Sequence, residues 1–258
     1  LTSDSCELKF EVNDVNKYFV TDGEPEVLLH THYGVIPEYS LEEKIFDCRI
    51  WSLYRNHGKH ILQDCSFELS PLPDKLVTLE SDFKSGNIYI KNDEFTQNPL
   101  SNPLVYPLDQ VLMIILLSLG RGVMFHACGI DDGEYGYLFL GNSTHGKSTI
   151  AKLWSQVCTI LNDDRIVVRE KERRYWMYGT PWHGDYAKIS AQGLPIHKIF
   201  FLHHGENNLA VPKDERKAVS MLLTRCFPPI WDKKGMEYTV DFCHRLVEKV
   251  PCYELDFV

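Results

Sequence analysis

The segment Tyr137–Trp154 reads YLFLGNSTHGKSTIAKLW and decides how the second half of the chain is organised. Its first residues form a short apolar run typical of a buried strand. The turn that follows spells G-x-x-x-x-G-K-S over Gly141–Ser148, and Ser148 with Thr149 opens a predicted helix. A strand, a glycine turn and a helix in this order are the context that a Walker A phosphate-binding loop requires.

The residue types of this loop match the needs of a bound triphosphate. Gly141 and Gly146 let the backbone curl until its N–H groups converge on phosphate oxygens. Lys147 supplies a positive charge to the β and γ phosphates, and the Ser148 hydroxyl can complete the coordination of Mg²⁺. The alternative is an ordinary glycine turn in which Lys147 is a solvated helix residue. We expect ATP to bind through Gly141, Asn142, Ser143, Thr144, His145, Gly146, Lys147, Ser148 and Thr149.

The composition narrows the class of protein. The chain has 258 residues, 44% of them hydrophobic, with a formal net charge of −9 and a pI near 5.6. An acidic balance argues against a nucleic-acid partner or an anionic membrane surface. The longest apolar run, Val111 to Leu117, is too short to span a bilayer. Eight cysteines without a C-x-x-C pair favour reduced thiols in the cytoplasm.

Alternating apolar and polar residues fill the first part of the chain and predict strands. The six segments are CELKFEV, NKYFV, EVLLHTHY, IFDCRIWSLY, LVTLES and NIYIKN. A polar, proline-containing stretch at 93–107 suggests a domain boundary near residue 100. We therefore predict a small β-rich domain over residues 1–100, as an antiparallel domain or a β layer, and a nucleotide-binding domain over 101–258.

The second half alternates strands and helices, which indicates an α/β domain. LDQVLMIILLSLGRG predicts a buried helix, and VMFHACGI with YLFLG predicts a hairpin that leads into the loop. A strand ending in Asp163 and Asp164 follows, and then a second hairpin, RIVVRE with RYWMYG. The remaining predictions are a strand at IHKIFFLHHG, helices near 213–227 and 236–250, and a closing strand CYELDFV.

Asp163 and Asp164 stand at the end of a core strand, one helix after the loop. Phosphoryl-transfer proteins place a Mg²⁺ contact on a carboxylate at this point. Because successive strand residues face opposite sides, one carboxylate can orient the metal while the other accepts the proton of an acceptor hydroxyl. The alternative is a β-turn whose charge is offset by Arg165.

Three further features each have two interpretations. The loop GTPWHGD, Gly179 to Asp185, gathers residue types typical of sites on loops, or it is a structured turn packed by Trp182. Arg225, near the end of a predicted helix, reaches phosphate or forms a helix-end salt bridge. His126 lies in an otherwise apolar strand, where a histidine is usually a satisfied core residue.

Taken together, the second half resembles the kinase core of HPr kinase/phosphorylase, within the P-loop group that includes the ATP-dependent phosphoenolpyruvate carboxykinases. FHACGI, GNSTHGKST and LNDDRIVV carry the resemblance, which covers roughly residues 106–200. Where that family has an isoleucine-arginine-glycine-rich signature linked to phosphorolysis, this chain reads YGTPWHGDYAKIS. The resemblance therefore does not extend to the reverse reaction or to HPr as the substrate.

The resemblance implies a fold and a set of roles. The fold is α/β, with a P-loop kinase core and a mixed sheet, preceded by the small β-rich domain. His126, like Lys147, is then expected to be an active-site residue. Ser148, Asp163 and Asp164 become the residues that hold Mg²⁺, and the two aspartates share metal orientation and activation of the acceptor hydroxyl.

We therefore expect an ATP- and Mg²⁺-dependent cytoplasmic kinase that acts on a serine or threonine hydroxyl of a peptide or protein. A homo-oligomer is compatible with the sequence. A kinase for a small-metabolite hydroxyl is the first alternative, and it predicts a closed pocket near GTPWHGD. The second alternative is a non-catalytic module that senses ATP. A carboxykinase is a weaker third, because the chain offers no convincing set of extra metal ligands and arginines.

Overall fold

The computed structural model describes residues 2–3, 12, 14–64, 75–91 and 102–258. Within them the chain is a mixed α/β protein with two mixed sheets, one of seven strands and one of eight. It divides into two compact units, the first formed by Leu1–Asn13 and Thr21–Met113, the second by Asp14–Val20 and Ile114–Val258. The domain boundary predicted at residues 100 and 101 lies outside the described residues. Every helix in the described part is too short or too polar to cross a membrane.

The first unit is built on the seven-stranded sheet. Its strands are β1 (Thr2–Ser3), β2 (Leu28–Gly34), β3 (Glu43–Asp47), β4 (Trp51–Asn56), β5 (Lys59–Asp64), β6 (Lys75–Leu79) and β7 (Ser85–Lys91). They pair in the order β1-β2-β7-β6-β5-β4-β3. The β1–β2 and β2–β7 pairs are parallel and the others antiparallel, so the sheet is mixed, not purely antiparallel. The reason is that β2 pairs with β7 and not with β3, its neighbour in the chain.

Several strand predictions in the first half need correction. The segment NKYFV contains a 3-10 helix, Asn16–Phe19, whose short i to i+3 bonds replace strand pairing. IFDCRIWSLY splits into β3 and β4 at a turn that the Cys48 N–H closes on the Trp51 carbonyl. Strand β5 was not predicted, and it pairs with β4 across a two-residue turn in which His57 and Gly58 have positive φ. The predicted strand CELKFEV lies outside the described residues except for its last position.

The second unit holds the eight-stranded sheet. Its strands are β8 (Val123–Asp131), β9 (Gly136–Leu140), β10 (Thr159–Asn162), β11 (Arg165–Lys171), β12 (Arg174–Tyr178), β13 (Gly193–His204), β14 (Leu209–Pro212) and β15 (Cys252–Phe257). The α-helices are α1 (Leu108–Ser118), α2 (Lys147–Trp154), α3 (Glu215–Leu223) and α4 (Lys233–Lys249). The division between the two units falls within α1. Both predicted hairpins are confirmed, whereas β14 was not predicted.

The sheet of the second unit curves back on itself. Its main order is β10-β8-β11-β12-β13-β15-β14, and β9 pairs with both β8 and β13. Strands β8, β11, β12, β13 and β9 therefore pair in a closed circuit. The two parallel pairs, β13 with β9 and β13 with β15, make this sheet mixed as well.

Two apolar clusters cover opposite faces of this sheet. Ala127 belongs to one cluster and Cys128 to the other, because successive strand residues point to opposite sides. The first cluster packs α3 and α4 on the strands, around Phe125, Phe201 and Phe242. The second packs α2 against the other face, with residues Ile150, Ala151, Phe139 and Phe257. The turn between β9 and α2 is thus held between a buried strand and a helix packed by its apolar side.

Strand β8 organises the region next to that turn. β10 pairs with β8 over Gly129–Asp131, and β11 pairs with it over Val123–His126. The two strands thus run along β8 one after the other and are separated only by Asp163 and Asp164. This interruption brings both aspartates beside the middle of β8.

Candidate functional site

A cavity of about 280 Å³ lies at the turn between β9 and α2. The Gly141–Ser148 loop, the start of α2, the β10–β11 junction, β8 and a loop after β12 all contribute to its wall. The lining residues are His126, Ser143, Thr144, Gly146, Lys147, Ser148, Thr149, Asp163, Asp164, Gly184 and Asp185. The lining is dominated by hydroxyl, carboxylate and ammonium groups, which suits a highly polar ligand.

The loop reaches α2 through a left-handed residue. Gly146 has φ 83°, a conformation that glycine adopts without strain, and a Cβ there would also overlap the ring of Phe257. α2 then begins at Lys147, whose Nζ donates to the carbonyl oxygens of Gly141 (2.9 Å) and Asn142 (3.0 Å). The lysine is only 6% exposed. Burial lowers its pKa, although the charges of Asp164 and Asp163 oppose that effect.

Asp163 is the most enclosed carboxylate of the cavity, with 1% of its surface exposed. Its Oδ2 accepts a 2.6 Å hydrogen bond from Ser148 Oγ and a 3.0 Å bond from the Tyr186 N–H. Its Oδ1 accepts a 2.7 Å bond from the Gly184 N–H. Three donors fix the carboxylate against the first turn of α2, which satisfies a buried charge that would otherwise be very unfavourable.

The loop GTPWHGD supplies one of these donors and one more carboxylate. A Cβ at Gly184 would lie 3.0–3.3 Å from the Asp163 carboxylate, so the close approach depends on glycine. Because the N–H groups on either side of Asp185 both bind Asp163, the Asp185 residue is held at the cavity, which it lines. The sequence singled out this loop by its composition but did not assign Asp185 to the site.

Asp164 has different partners from Asp163. Its Oδ1 lies 2.7 Å from His126 Nε2, and its Oδ2 accepts from the guanidinium of Arg165. Its carbonyl accepts a 3.1 Å bond from the Ala127 N–H, which ties the aspartate to β8. Burial works to raise the pKa of the Asp164 carboxyl, but the hydrogen bond from His126 and the charge of Arg165 outweigh it and hold the pKa below its usual value.

Phe227 packs beside both partners of Asp164. The Arg165 guanidinium lies 4.2 Å from the centroid of the Phe227 ring, and the His126 ring lies 6.0 Å from it. The Phe227 N–H donates to the Met124 carbonyl at 2.9 Å, so the segment after α3 runs along β8. Sequence reasoning gave no role to Phe227, because no local pattern brings it near Arg165 and His126, which precede it by 62 and 101 positions.

A buried asparagine fixes the turn that carries the two aspartates. Asn162 Oδ1 accepts from the N–H groups of Asp164 (2.7 Å) and Arg165 (2.9 Å), and its Nδ2 donates to the Thr180 carbonyl at 2.8 Å. Thr180 Oγ1 in turn donates to the Arg165 carbonyl at 2.7 Å. Arg165 does pair with Asp164, as the alternative of a structural turn expected, and these hydrogen bonds hold the turn in addition.

The structure brings most of the predicted residues together. His126, Asp163 and Asp164 line the same cavity as six of the nine loop residues. Gly141 and Asn142 contribute carbonyl oxygens to Lys147 instead. His145 does not line the cavity, and its ring lies 6.5 Å from the ring of His204. The nucleotide and metal roles of all these residues stay predictions.

The oxygen atoms of Ser148 and Asp163 are the candidate ligands for Mg²⁺ in this cavity. Among the described residues no three or more histidines, cysteines, aspartates or glutamates are grouped closely enough to hold a metal ion. Mg²⁺ in phosphoryl-transfer sites needs fewer protein ligands, because it keeps waters and shares phosphate oxygens. Ser148 and Asp163 present hard oxygen donors 2.6 Å apart beside the loop, which fits an ion bound together with a phosphate.

Comparison with known proteins does not assign the chain to a family. No family model matches the chain, and no curated protein matches it. Among solved structures, the chain is similar to the Hpr(Ser) kinase/phosphatase from Coxiella burnetii, with 12% sequence identity and a TM-score of 0.32. The match covers 52% of this chain and 84% of that one.

Proposed function

We propose that this protein is an ATP- and Mg²⁺-dependent kinase that transfers the γ-phosphoryl group to a serine or threonine hydroxyl of a peptide or protein. The observation that carries the proposal is the different surroundings of two adjacent carboxylates. Asp163 contacts Ser148 of the loop, whereas Asp164 contacts His126 on β8. In protein kinases one carboxylate binds the metal and another receives the acceptor hydroxyl, and the two aspartates of this cavity differ in the way that such a division of roles requires.

Lys147 and the backbone of the loop are the groups that would bind the phosphates. The Lys147 ammonium contacts two neutral carbonyl oxygens, those of Gly141 and Asn142. A phosphate oxygen carries a full charge and is a stronger acceptor for the same donor. The N–H groups at the start of α2 add their positive field, so the loop favours a polyanion.

The residues that would hold the metal are Ser148 and Asp163. When bound, Mg²⁺ supplies positive charge that neutralises the phosphate oxygens. The N–H groups of Gly184 and Tyr186 hold the Asp163 carboxylate in the orientation that faces Ser148. Such support of a metal ligand by fixed donors is typical of metal sites.

Asp164 is the group that would receive the acceptor hydroxyl. His126 and Arg165 hold its two oxygens and keep it ionised at neutral pH, so it can accept a hydrogen bond from the hydroxyl and then its proton. In a loose transition state the proton moves late, and orientation of the nucleophile matters more than base strength. Its lowered pKa is therefore compatible with this role.

The exposure of this pair supports a polypeptide acceptor. The side chains of His126 and Asp164 are 23% and 24% exposed, so solvent reaches the acceptor side of the cavity. A hydroxyl carried on an extended chain can approach such a surface without being enclosed. A small metabolite is usually bound in a pocket that buries most of its surface.

The proposal is tested by incubating the purified protein with Mg²⁺, γ-labelled ATP and a pool of serine- and threonine-bearing peptides, beside a Lys147→Ala control. Label on a peptide hydroxyl in the wild type alone supports the proposal. If a cell extract is supplied in place of the peptides and the label is found only on small molecules, the acceptor is a metabolite and not a polypeptide. Tight ATP binding with no label on any acceptor would show that the protein is an ATP-sensing module and not a kinase.

A further inference from the structure

The loop that lines the candidate site holds one residue in a conformation that its side chain disfavours. Thr144 has φ 71°, in the left-handed region, and Gly146 two positions later has φ 83°. Glycine adopts this region without strain, but a β-branched residue there is a genuine outlier. Thr144 lines the cavity, and strained backbone of this kind persists where surrounding contacts hold it in place.

A histidine from another strand supplies such a contact. His204 is the last residue of β13, and its Nε2 lies 2.9 Å from the Thr144 carbonyl oxygen. Because a carbonyl can only accept, Nε2 carries the hydrogen and donates it. His204 itself does not line the cavity. The Thr144 carbonyl is thus bonded by a group that stands outside the cavity lining.

The orientation of this carbonyl matters for the binding of an anion. A carbonyl oxygen carries partial negative charge and repels phosphate, whereas loops of this kind bind phosphate through N–H groups. The same peptide unit is also bonded at its other end, because the His145 N–H donates to the Asn142 carbonyl at 3.2 Å. These two bonds hold the peptide unit in the orientation that directs its carbonyl to His204.

The end of β15 supports the next part of the loop. The Phe257 ring occupies the space that a Cβ on Gly146 would need, and it lies 5.2 Å from the ring of His204. β13 and β15 are parallel neighbours, and His204 is paired with Phe257 in their register. Two adjacent strand ends therefore contact the two left-handed residues of the loop, His204 at Thr144 and Phe257 at Gly146.

We propose that His204 is a positioning residue that holds the Gly141–Ser148 loop in its phosphate-binding shape through the Thr144 carbonyl, an inference that rests on the function proposed above. The hydrogen bond offsets the strain at Thr144 before the nucleotide arrives, so binding does not have to order the loop. Without this bond, Thr144 relaxes to a negative φ, and the loop must be ordered again around the phosphates. Both the Nε2–H tautomer and the imidazolium carry the donor, so the contact does not depend on the charge of His204.

The test measures the affinity of ADP and of a non-hydrolysable ATP analogue, by calorimetry with Mg²⁺ present. For His204→Ala we expect both ligands to bind about fivefold more weakly, which is the effect of one hydrogen bond. His204→Gln places an amide N–H within reach of the carbonyl and is expected to restore affinity to within about twofold. His203→Ala is the matched control, because the preceding residue of β13 points to the other side and bonds Asp256 at 3.0 Å. We expect it to leave both affinities unchanged.

The outcomes separate this inference from the proposed function. Unchanged affinity in His204→Ala would overturn the role of His204 and leave the kinase proposal intact. An equal loss in His204→Gln would do the same, since the hydrogen bond would not be the cause, and so would an equal loss in His203→Ala. A wild type that binds neither ligand would overturn both proposals.

Unfolding by urea without nucleotide separates positioning from a structural role. Both histidines are exposed, so the two alanine variants should have similar unfolding midpoints. A midpoint lowered strongly in His204→Ala alone would assign this residue to the stability of the fold and overturn the proposal.

Discussion

The hydroxyl of Ser148 donates a 2.6 Å hydrogen bond to the carboxylate of Asp163, which joins the first turn of α2 to the end of β10. The same carboxylate accepts the N–H groups of Gly184 and Tyr186. One buried side chain therefore ties the Gly141–Ser148 loop, the aspartate pair and the GTPWHGD loop together.

Lys147→Ala is expected to abolish nucleotide binding and transfer. The variant removes the ammonium group that the loop holds at its centre, and we expect kcat/KM to fall by about 10³ or more. Lys152→Ala is the control, because Lys152 is exposed in the last turn of the same helix and should leave kcat/KM unchanged. Wild-type affinity for ATP in Lys147→Ala would contradict the assignment of the loop.

Asp164→Asn is expected to separate transfer from binding. The amide keeps the shape of the side chain but cannot take a proton, so turnover should fall by about 10²–10⁴ while ATP affinity stays within about threefold. Asp241→Asn makes the same change at an exposed aspartate on α4 and should leave both unchanged. Wild-type turnover in a variant with both Asp163→Asn and Asp164→Asn would rule out the role of the pair.

Asp163→Ala is expected to lower the free energy of unfolding by about 2–4 kcal/mol, because it leaves Ser148 Oγ and two backbone N–H groups without their acceptor. Asp164→Ala should lower it less, since the Asp164 side chain is 24% exposed and its partners can reach water. Urea unfolding in the absence of nucleotide measures both values. A larger loss in Asp164→Ala would contradict this order.

Gly184→Ala is expected to disturb the support of Asp163. The new Cβ would lie 3.0–3.3 Å from the carboxylate, so the loop must shift by a few tenths of an ångström. We expect the free energy of unfolding to fall by about 1–2 kcal/mol, and the Mg²⁺ concentration needed for half-maximal turnover to rise. Gly23→Ala is the control, because no atom lies within 4 Å of a Cβ at that position. Unchanged Mg²⁺ dependence in Gly184→Ala would contradict the proposed support.

The strands and helices of the second half follow local patterns closely. Each buried strand and amphipathic helix there has its own short-range pattern of apolar residues, and the glycine turn is a contiguous motif. Their positions can therefore be predicted from neighbouring residues. Predictions were less accurate in the first half. The parallel pairing of β2 with β7 joins segments more than fifty residues apart, and no local pattern encodes which strand lies beside which.

The sequence by itself determined the chemistry that the cavity contains. The spacing of Gly141, Gly146 and Lys147 indicates a phosphate loop, and the aspartate pair after the next strand indicates two acidic roles, because these patterns are contiguous in the chain. Only the tertiary structure decided how the two aspartates differ. Their partners come from β8, α2 and the loop after β12, so the distinction exists only once distant segments are packed together.

The tertiary structure also decided the surroundings of single side chains. From sequence, Arg225 had two interpretations, and the ion pair that would have explained it is absent from the described residues. Phe227 contacts the site only because its segment runs along β8 and packs the ring against the guanidinium of Arg165. Burial and the absence of a counter-charge are properties of the packed chain, since they depend on which segments exclude water from a residue.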